Sequence, residues 1–557
     1  MSQAGDLLKN QKYDELWQLC CGFLDLNGQQ FVSLQKELLT EQIELLSRSR
    51  LGRKVMRGYL PESVEDFRQN VPLTTYADYC PELLERNEDV LPVKPVKWIQ
   101  TSGRSGEYPC KWIPVTESFW QEAGLNFCAV AMLGSCKGKY DIEFKKGFRL
   151  LYAASQSPCL TGAVAHKLSE DMGFLFLPSL TESEELPFDA RISKGVKMAM
   201  SEGMDGFFGL AGILVAIGEK IRKGSGGGSA SMLLKQPAMA LRYARGKIRS
   251  KMARRQMLPK DLWELKVIVS MGTDSLIYKN RIKELWGRMP LDVYGNTESA
   301  VLATQTWDYN HMVFFPNLNF LEFIPEEEHQ KNVRDHSYVP NTVLLDEVKA
   351  GENYELVITN LHGGALVRYR LGDMIKITSL KNSRLGINLP QLMFERRADD
   401  LIDLGFMRLT ERVIWQALEN SGVPYAGWMA KKEISGSNSR LHLYIELNTE
   451  DDASDTAIAD AVYQQIKRID DGLYVYRDLE NVENLIDFKP IKVTLLPAGV
   501  FNNYKLRQQE NGSSLAHLRP PHINPPDNVL SQLGIRNQPT VQEIKGRASQ
   551  TELKARQ

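Results

Sequence analysis

From Val96 to Leu380 short β-rich runs alternate with stretches of helical periodicity, and this alternation restricts the chain to an α/β arrangement more than any other feature. The runs 267–269, 291–293 and 356–358 are apolar enough for interior strands. A sheet of this kind offers the loops at its strand ends for chemistry. Ahead of it, apolar positions at helical spacing (Leu16, Leu19, Leu24, then Leu34, Leu38, Ile43, Leu46) predict a helical lead-in over residues 1–60. The run from Phe207 to Ile217 reads as a buried helix, too short and too glycine-punctuated to span a bilayer.

At 557 residues the chain is too long for one hydrophobic core. A second unit is expected to begin near Asp399. It carries a helix from about Thr410 ended by Gly422, a strand Leu441 to Leu447, a helix near Ala457 to Ile469 and a strand Ile491 to Leu496. The expected division is a large multi-sheet N-terminal domain over 1–397, a smaller, mobile α+β C-terminal domain over 398–537 and a polar tail over 538–557, with the active site in the cleft between the domains.

A formal net charge of -1 supplies no global field for nucleic acid, so no nucleic-acid partner is expected and any anion site must be local. All seven cysteines lie between Cys20 and Cys159 without a CxxC pair, the usage of reduced thiols in a cytoplasmic protein. No signal-peptide core and no membrane span are read. Residues 231–260 hold nine basic residues and no acidic one. They read either as a solvated helical face or as an anion- or membrane-facing surface.

Three segments carry chemistry. Thr101-Ser-Gly-Arg-Ser-Gly-Glu-Tyr-Pro-Cys-Lys111 follows a β-like stretch, and such a Ser/Gly loop can present backbone N–H groups to phosphate oxygens, with Lys111 adding charge. Alone, a Ser/Gly turn is more often only a turn. Tyr294-Gly-Asn-Thr-Glu298 follows an interior strand: an aromatic ring suits a base, and the Glu298 carboxylate suits Mg²⁺ riding on phosphates. In Arg368-Tyr-Arg-Leu-Gly-Asp373, Asp373 can accept hydrogen bonds from ribose hydroxyls. HExxH, GxSxG and GxGxxG do not occur, which leaves metalloprotease, serine hydrolase and dinucleotide chemistry without support.

Taken in order with Arg397-Ala-Asp-Asp-Leu-Ile402 and Gly405-Phe-Met-Arg-Leu409, these segments resemble the acyl-adenylate-forming superfamily. Val71-Pro-Leu-Thr-Thr-Tyr76 and Lys111-Trp-Ile-Pro-Val-Thr116 look most like the auxin-responsive (Gretchen Hagen) acyl acid amido synthetases and their bacterial relatives. The resemblance implies that Ser102, Gly103, Arg104, Ser105 and Gly106 wrap the β and γ phosphates of ATP. Tyr294, Gly295, Asn296 and Thr297 would hold adenine and the α-phosphate region, with Glu298 on Mg²⁺. Asp373 would grip the ribose, Arg397 would lie beside it, and Asp399 would be the hinge between domains. Arg519 stands where the superfamily has a catalytic lysine, and Arg104 replaces a small hydroxyl residue; guanidinium does not reproduce a compact ammonium.

The activity implied is ATP- and Mg²⁺-dependent conversion of a carboxylic acid to acyl-AMP with release of pyrophosphate, then transfer to an amine such as an amino acid. A coenzyme A acceptor, giving an acyl-CoA ligase, is one alternative, and a weakly active or non-catalytic nucleotide-binding protein is the other. Phe119, Trp120, Phe127, Phe207, Phe208 and Met271 are candidate walls of the acyl pocket. His166 receives no role, and the acid, the acceptor and the oligomeric state are not readable from sequence.

Overall fold

The computed structural model describes residues 2–101, 110–224, 237–271, 275–398, 401–404, 408–435, 438–448, 454–469, 489–510 and 522–535. The helical lead-in is present. Its longest helix, Gly28–Arg48, starts at a capping box in which Asn27 and Gln30 satisfy each other's backbone N–H groups. Two of its buried glutamines then dock it on the sheet: Gln35 donates to the Asn319 carbonyl at 2.5 Å, and Gln42 donates to that of Gly364 at 2.8 Å. A buried amide must find partners, so these contacts fix the docking angle as apolar contact alone does not.

A hairpin of β1 (Lys97–Gln100) and β2 (Trp112–Val115) precedes the main sheet. The sheet contains β3 (Arg149–Ala153), β4 (Leu175–Leu177), β5 (Gly206–Leu210), β6 (Val267–Met271), β7 (Leu291–Asn296), β8 (Ala300–Gln305), β9 (Met312–Phe314), β10 (Asn319–Pro325), β11 (Asn353–Asn360), β12 (Tyr369–Ser379) and β13 (Gln391–Arg397). Its eleven strands run in the order β10-β11-β12-β13-β9-β8-β7-β6-β5-β3-β4. Strands β4, β3, β5, β6 and β7 pair in parallel and the remainder antiparallel, so β7 is the point at which the sheet changes character. The three predicted interior strands fall in β6, β7 and β11.

The expectation of a helix over Phe207–Ile217 is corrected. Phe207 to Leu210 belong to β5, and the helix is Ala211–Arg222. The reason is tertiary: a Cβ on Gly209 would stand 2.2 Å from the Ala153 carbonyl oxygen, so the two backbones pair at a separation that only glycine allows.

Beyond the sheet, β14 (Leu401–Asp403) pairs with β15 (Arg408–Thr410), and β16 (Tyr425–Ser435), β17 (Asn438–Leu447) and β18 (Ile491–Leu496) form a three-stranded sheet. The helix Glu411–Ser421 is capped by the Thr410 hydroxyl and ended by Gly422 at φ +72°, as its sequence predicts. It packs with the helix Asp455–Ile469 over this sheet, around a buried cluster that includes Ile414, Leu418, Trp428, Leu443, Val462 and Ile466. The architecture is therefore α/β with a large mixed sheet and a smaller α+β portion with its own core.

No described helix is long and apolar enough to cross a membrane. The seven cysteines are all free thiols.

Candidate functional site

The hairpin places Lys111 opposite Thr101. The Thr101 N–H donates to the Lys111 carbonyl at 3.0 Å, and the Lys111 N–H donates to Thr101 Oγ1 at 2.9 Å. These two residues form the base of the Ser/Gly loop. Ser102, Gly103, Arg104, Ser105 and Gly106 lie outside the described residues, as do Asp399 and Arg519.

Lys111 Nζ points at the loop after β7. It stands 3.2 Å from Glu298 Oε1, donates to the Tyr369 hydroxyl at 2.9 Å, and lies 5.5 Å from the centre of the Tyr76 ring. Sequence reasoning quoted Tyr76 and Tyr369 within motifs without giving either a site role. The Tyr76 hydroxyl accepts from the Trp112 N–H at 2.8 Å, which ties it to the same hairpin. Burial pushes the Tyr76 phenol up, so it stays protonated beside the lysine.

The loop 294–298 is held by its own side chains. Asn296 Oδ1 accepts from the Ser299 N–H at 3.0 Å and from its hydroxyl at 2.7 Å, while Asn360 donates to the Glu298 carbonyl at 3.0 Å. A Cβ on Gly295 would meet the Ala300 carbonyl oxygen at 2.2 Å, so the turn requires glycine there. Glu298 is thereby presented on a fixed backbone.

A second node joins the other predicted residues. Asp373 and Arg397 are register partners on β12 and β13, and Arg397 Nη1 donates to Asp373 Oδ1 at 2.6 Å. The Tyr294 hydroxyl donates to Asp373 Oδ2 at 2.8 Å. The Tyr294 ring is only 8% exposed and packs against Phe394, and burial followed by the Asp373 charge raises its phenol well above the ordinary range. Tyr294, Asp373 and Arg397 thus form one bonded unit, and Lys111 with Glu298 a second.

Between strands β3, β5, β6 and β7 and the helices Glu117–Ser135 and Leu160–Met172 lies a cavity of about 260 Å³. Its mouth carries Gln100, Thr101, Asn296, Thr297 and Glu298, and its walls include Phe127, Phe174, Phe207, Phe208, Val130 and Val164. No Lys, Arg or His lines it among the described residues. Of the expected wall residues Phe127, Phe207 and Phe208 are in place. Phe119 and Trp120 instead border a separate gap of about 10 Å³, and Phe174 was not anticipated. Nothing beyond its place at the end of β6 is described for Met271. His166 pairs with Glu184 at 2.8 Å, away from this cavity.

No cluster of three or more His, Cys, Asp or Glu side chains is arranged for a metal among the described residues. A single fixed carboxylate such as Glu298 is nevertheless what Mg²⁺ needs when substrate phosphates supply its other ligands. The basic stretch contains the helix Pro237–Met252, whose arginines stand at the N-terminal edge of the parallel strands, opposite the cavity mouth.

Residues 22–179 match the GH3 family N-terminal domain, and residues 312–397 match the GH3 family central domain. Among curated proteins the chain is 26% identical over 298 residues to jasmonoyl–L-amino acid synthetase GH3.5 of Oryza sativa subsp. japonica, covering 50% of this chain and 49% of that one. It is 27% identical over 203 residues to the 4-substituted benzoates-glutamate ligase GH3.12 of Arabidopsis thaliana, covering 34% of this chain and 32% of that one. The matches span about half or less of the length of these curated relatives. The solved AtGH3.15 acyl acid amido synthetase in complex with 2,4-DB aligns over 92% of this chain and 95% of that chain, with 16% identity and a TM-score of 0.49. The resemblance to the GH3 family thus rests on two segments of the chain, matched by the family's N-terminal and central domain models.

Proposed function

We propose that the chain is an acid-amido ligase, using ATP and Mg²⁺ to join a carboxylic acid to the amine of an amino acid. The observation that carries this reading is the apolar, aromatic-walled cavity opening onto Thr297 and Glu298, with Lys111 held against that carboxylate. An acyl group fits the walls, and its carboxylate lies at the polar mouth.

In the first step a carboxylate oxygen attacks the α-phosphorus of ATP, the bond to the β-phosphate oxygen breaks, and pyrophosphate leaves with that electron pair. Lys111 offsets the charge of the two approaching anions, Thr297 borders the reacting centre, and the Tyr294–Asp373–Arg397 unit holds the ribose end. Glu298 would hold Mg²⁺, which would supply charge neutralisation on the phosphates. In the second step the amine nitrogen attacks the acyl carbon, AMP departs, and the nitrogen loses a proton. The division at residue 397, the hinge at Asp399, a catalytic Arg519 and the phosphate loop Ser102–Gly106 belong to this proposal.

The lining favours uncharged aromatic or branched acyl groups, because no basic residue among the described ones could neutralise a second carboxylate. The test is pyrophosphate release by the purified chain with ATP, Mg²⁺ and panels of aromatic, fatty and keto acids, followed by mass spectrometry with amino acids or coenzyme A. Acid-dependent release with an amide product is expected. A thioester without amide would move the reading to an acyl-CoA ligase, and absence of release across the panels would overturn it.

A further inference from the structure

A second cavity, of about 430 Å³, lies where β3, β5 and β6 begin. It is lined by Arg149 at the start of β3, by Asp205 just before β5, by Trp263 and Glu264 ahead of β6, and by Arg242, Arg245 and Arg249 from the helix Pro237–Met252. At the start of β3 the neighbours Arg149 and Leu150 line different cavities, Arg149 this one and Leu150 the first, as successive strand residues facing opposite ways can. The two cavities share no lining residue.

Four guanidiniums converge here, and among the described residues none has a carboxylate partner at ion-pair distance. The acidic groups nearby are Asp205, Asp261, Glu202 and Glu264. Asp261 is committed to a two-pronged pair with Arg255, at 2.6 and 2.9 Å, and Asp205 Oδ2 accepts the Arg149 backbone N–H at 2.9 Å. Glu202 and Glu264 are exposed. Arg149 Nε is buried without a hydrogen-bond partner. Burial, and then the charges of Arg245 and Arg149, hold the Arg242 guanidinium below its ordinary range. Four like charges facing one hollow repel one another, and an unpaired buried donor is costly. A multivalent anion relieves both, and the planar forks of arginine match phosphate oxygens.

We propose that this cavity is a binding site for a phosphate-bearing anion, separate from the acyl cavity and recognised by Arg149, Arg242, Arg245 and Arg249. The phosphate can arrive on a soluble polyphosphate or on a phospholipid headgroup. The second source has a footing in Leu241, Ile248 and Met252, which are 62%, 60% and 80% exposed on the same helix.

Isothermal titration of the full chain with inorganic tripolyphosphate in Mg²⁺-free buffer, and sedimentation with phosphatidylcholine vesicles with and without phosphatidic acid, separate the two sources. Arg245 and Arg249 are exposed, so R245A/R249A should keep the unfolding temperature of the unliganded protein. Binding in one of the two arms, weakened about tenfold or more in R245A/R249A and largely kept in R245K/R249K, is expected. D373A, altered at the other site, should bind as wild type. No binding in either arm, or equal affinity in wild type and R245A/R249A, would overturn the proposal.

Discussion

Lys111 and Glu298 are 187 positions apart in the chain, yet their charged ends meet at 3.2 Å with side chains only 17% and 11% exposed. Two folding decisions produce this contact: the β1–β2 pairing that sets Lys111 opposite Thr101, and the glycine-dependent turn that presents Glu298 after β7. Opposite charges withdrawn from water depend on each other, because a charge left behind loses solvation without compensation.

Lys111→Met and Glu298→Gln are each expected to lower unfolding stability by about 1–3 kcal/mol. K111M/E298Q should lose less than the sum, leaving a coupling of about 1 kcal/mol or more. Urea denaturation of the three variants measures it. Strict additivity would mean that the pair is not an energetic unit.

The second prediction concerns how the segment carrying Tyr76 is held. Arg368 and Glu322 form a fork at 2.8 and 3.0 Å, are 5% and 0% exposed, and Arg368 also donates to the Val71 carbonyl. Arg368→Met should destabilise by about 3–5 kcal/mol, since it removes both fork bonds from a buried carboxylate left with the Thr342 hydroxyl and with Arg68 at 3.7 Å. Arg368→Lys should recover only part of this, because one ammonium cannot make both bonds. Equal stability of wild type and R368K in urea would refute the argument.

Elements whose ends are set by local chemistry were readable from sequence. The Thr410 cap, the Gly422 stop and the strand Ile491–Leu496 fall where the residues place them. Elements set by distant partners were not. The run Phe207–Ile217 has a composition that strand and helix share, and what decides it is the backbone of Ala153 beside Gly209. The same holds at the site. The segments 294–298 and 368–373 could be found by type and order, whereas the Tyr369 hydroxyl on Lys111 and the Asp373–Arg397 register depend on how β12 meets its neighbours. The cavity walls were half legible for the same reason: aromatic residues are common in cores, and only the packed sheet separates Phe174 at the cavity from Trp120 beside it.

On the proposed reaction, filling the cavity should change acid choice more than turnover. Val164 is a buried wall residue, and Val164→Phe takes up space within about 260 Å³. Pyrophosphate release with bulky aromatic acids should fall about tenfold or more, with short-chain acids affected less. A stability loss of about 1–3 kcal/mol from overpacking is expected alongside. A uniform fall across all acids would argue that this cavity does not receive the acyl group.

The last prediction concerns pH and the small sheet. His442 Nδ1 lies 2.5 Å from Glu433 Oε2 and Nε2 lies 2.7 Å from the Thr494 hydroxyl, with the Tyr444 ring stacked at 4.1 Å. A carboxylate only accepts, so Nδ1 carries the proton and Nε2 accepts from Thr494. Burial and then Lys492 push the imidazole down to about 4, outweighing the Glu433 charge that raises it, while Arg440 also lowers it. A histidine depressed in the folded state takes up its proton more readily when unfolded. Its contribution is therefore complete above the ordinary value near 6.5 and is lost as pH falls from there towards 4. Wild type should lose about 2 kcal/mol between pH 7 and pH 5 from this group. His442→Gln, which cannot titrate, should be less stable at pH 7 but lack that increment. Urea melts of both proteins at the two pH values decide it, and equal losses in the two proteins would remove His442 as the cause.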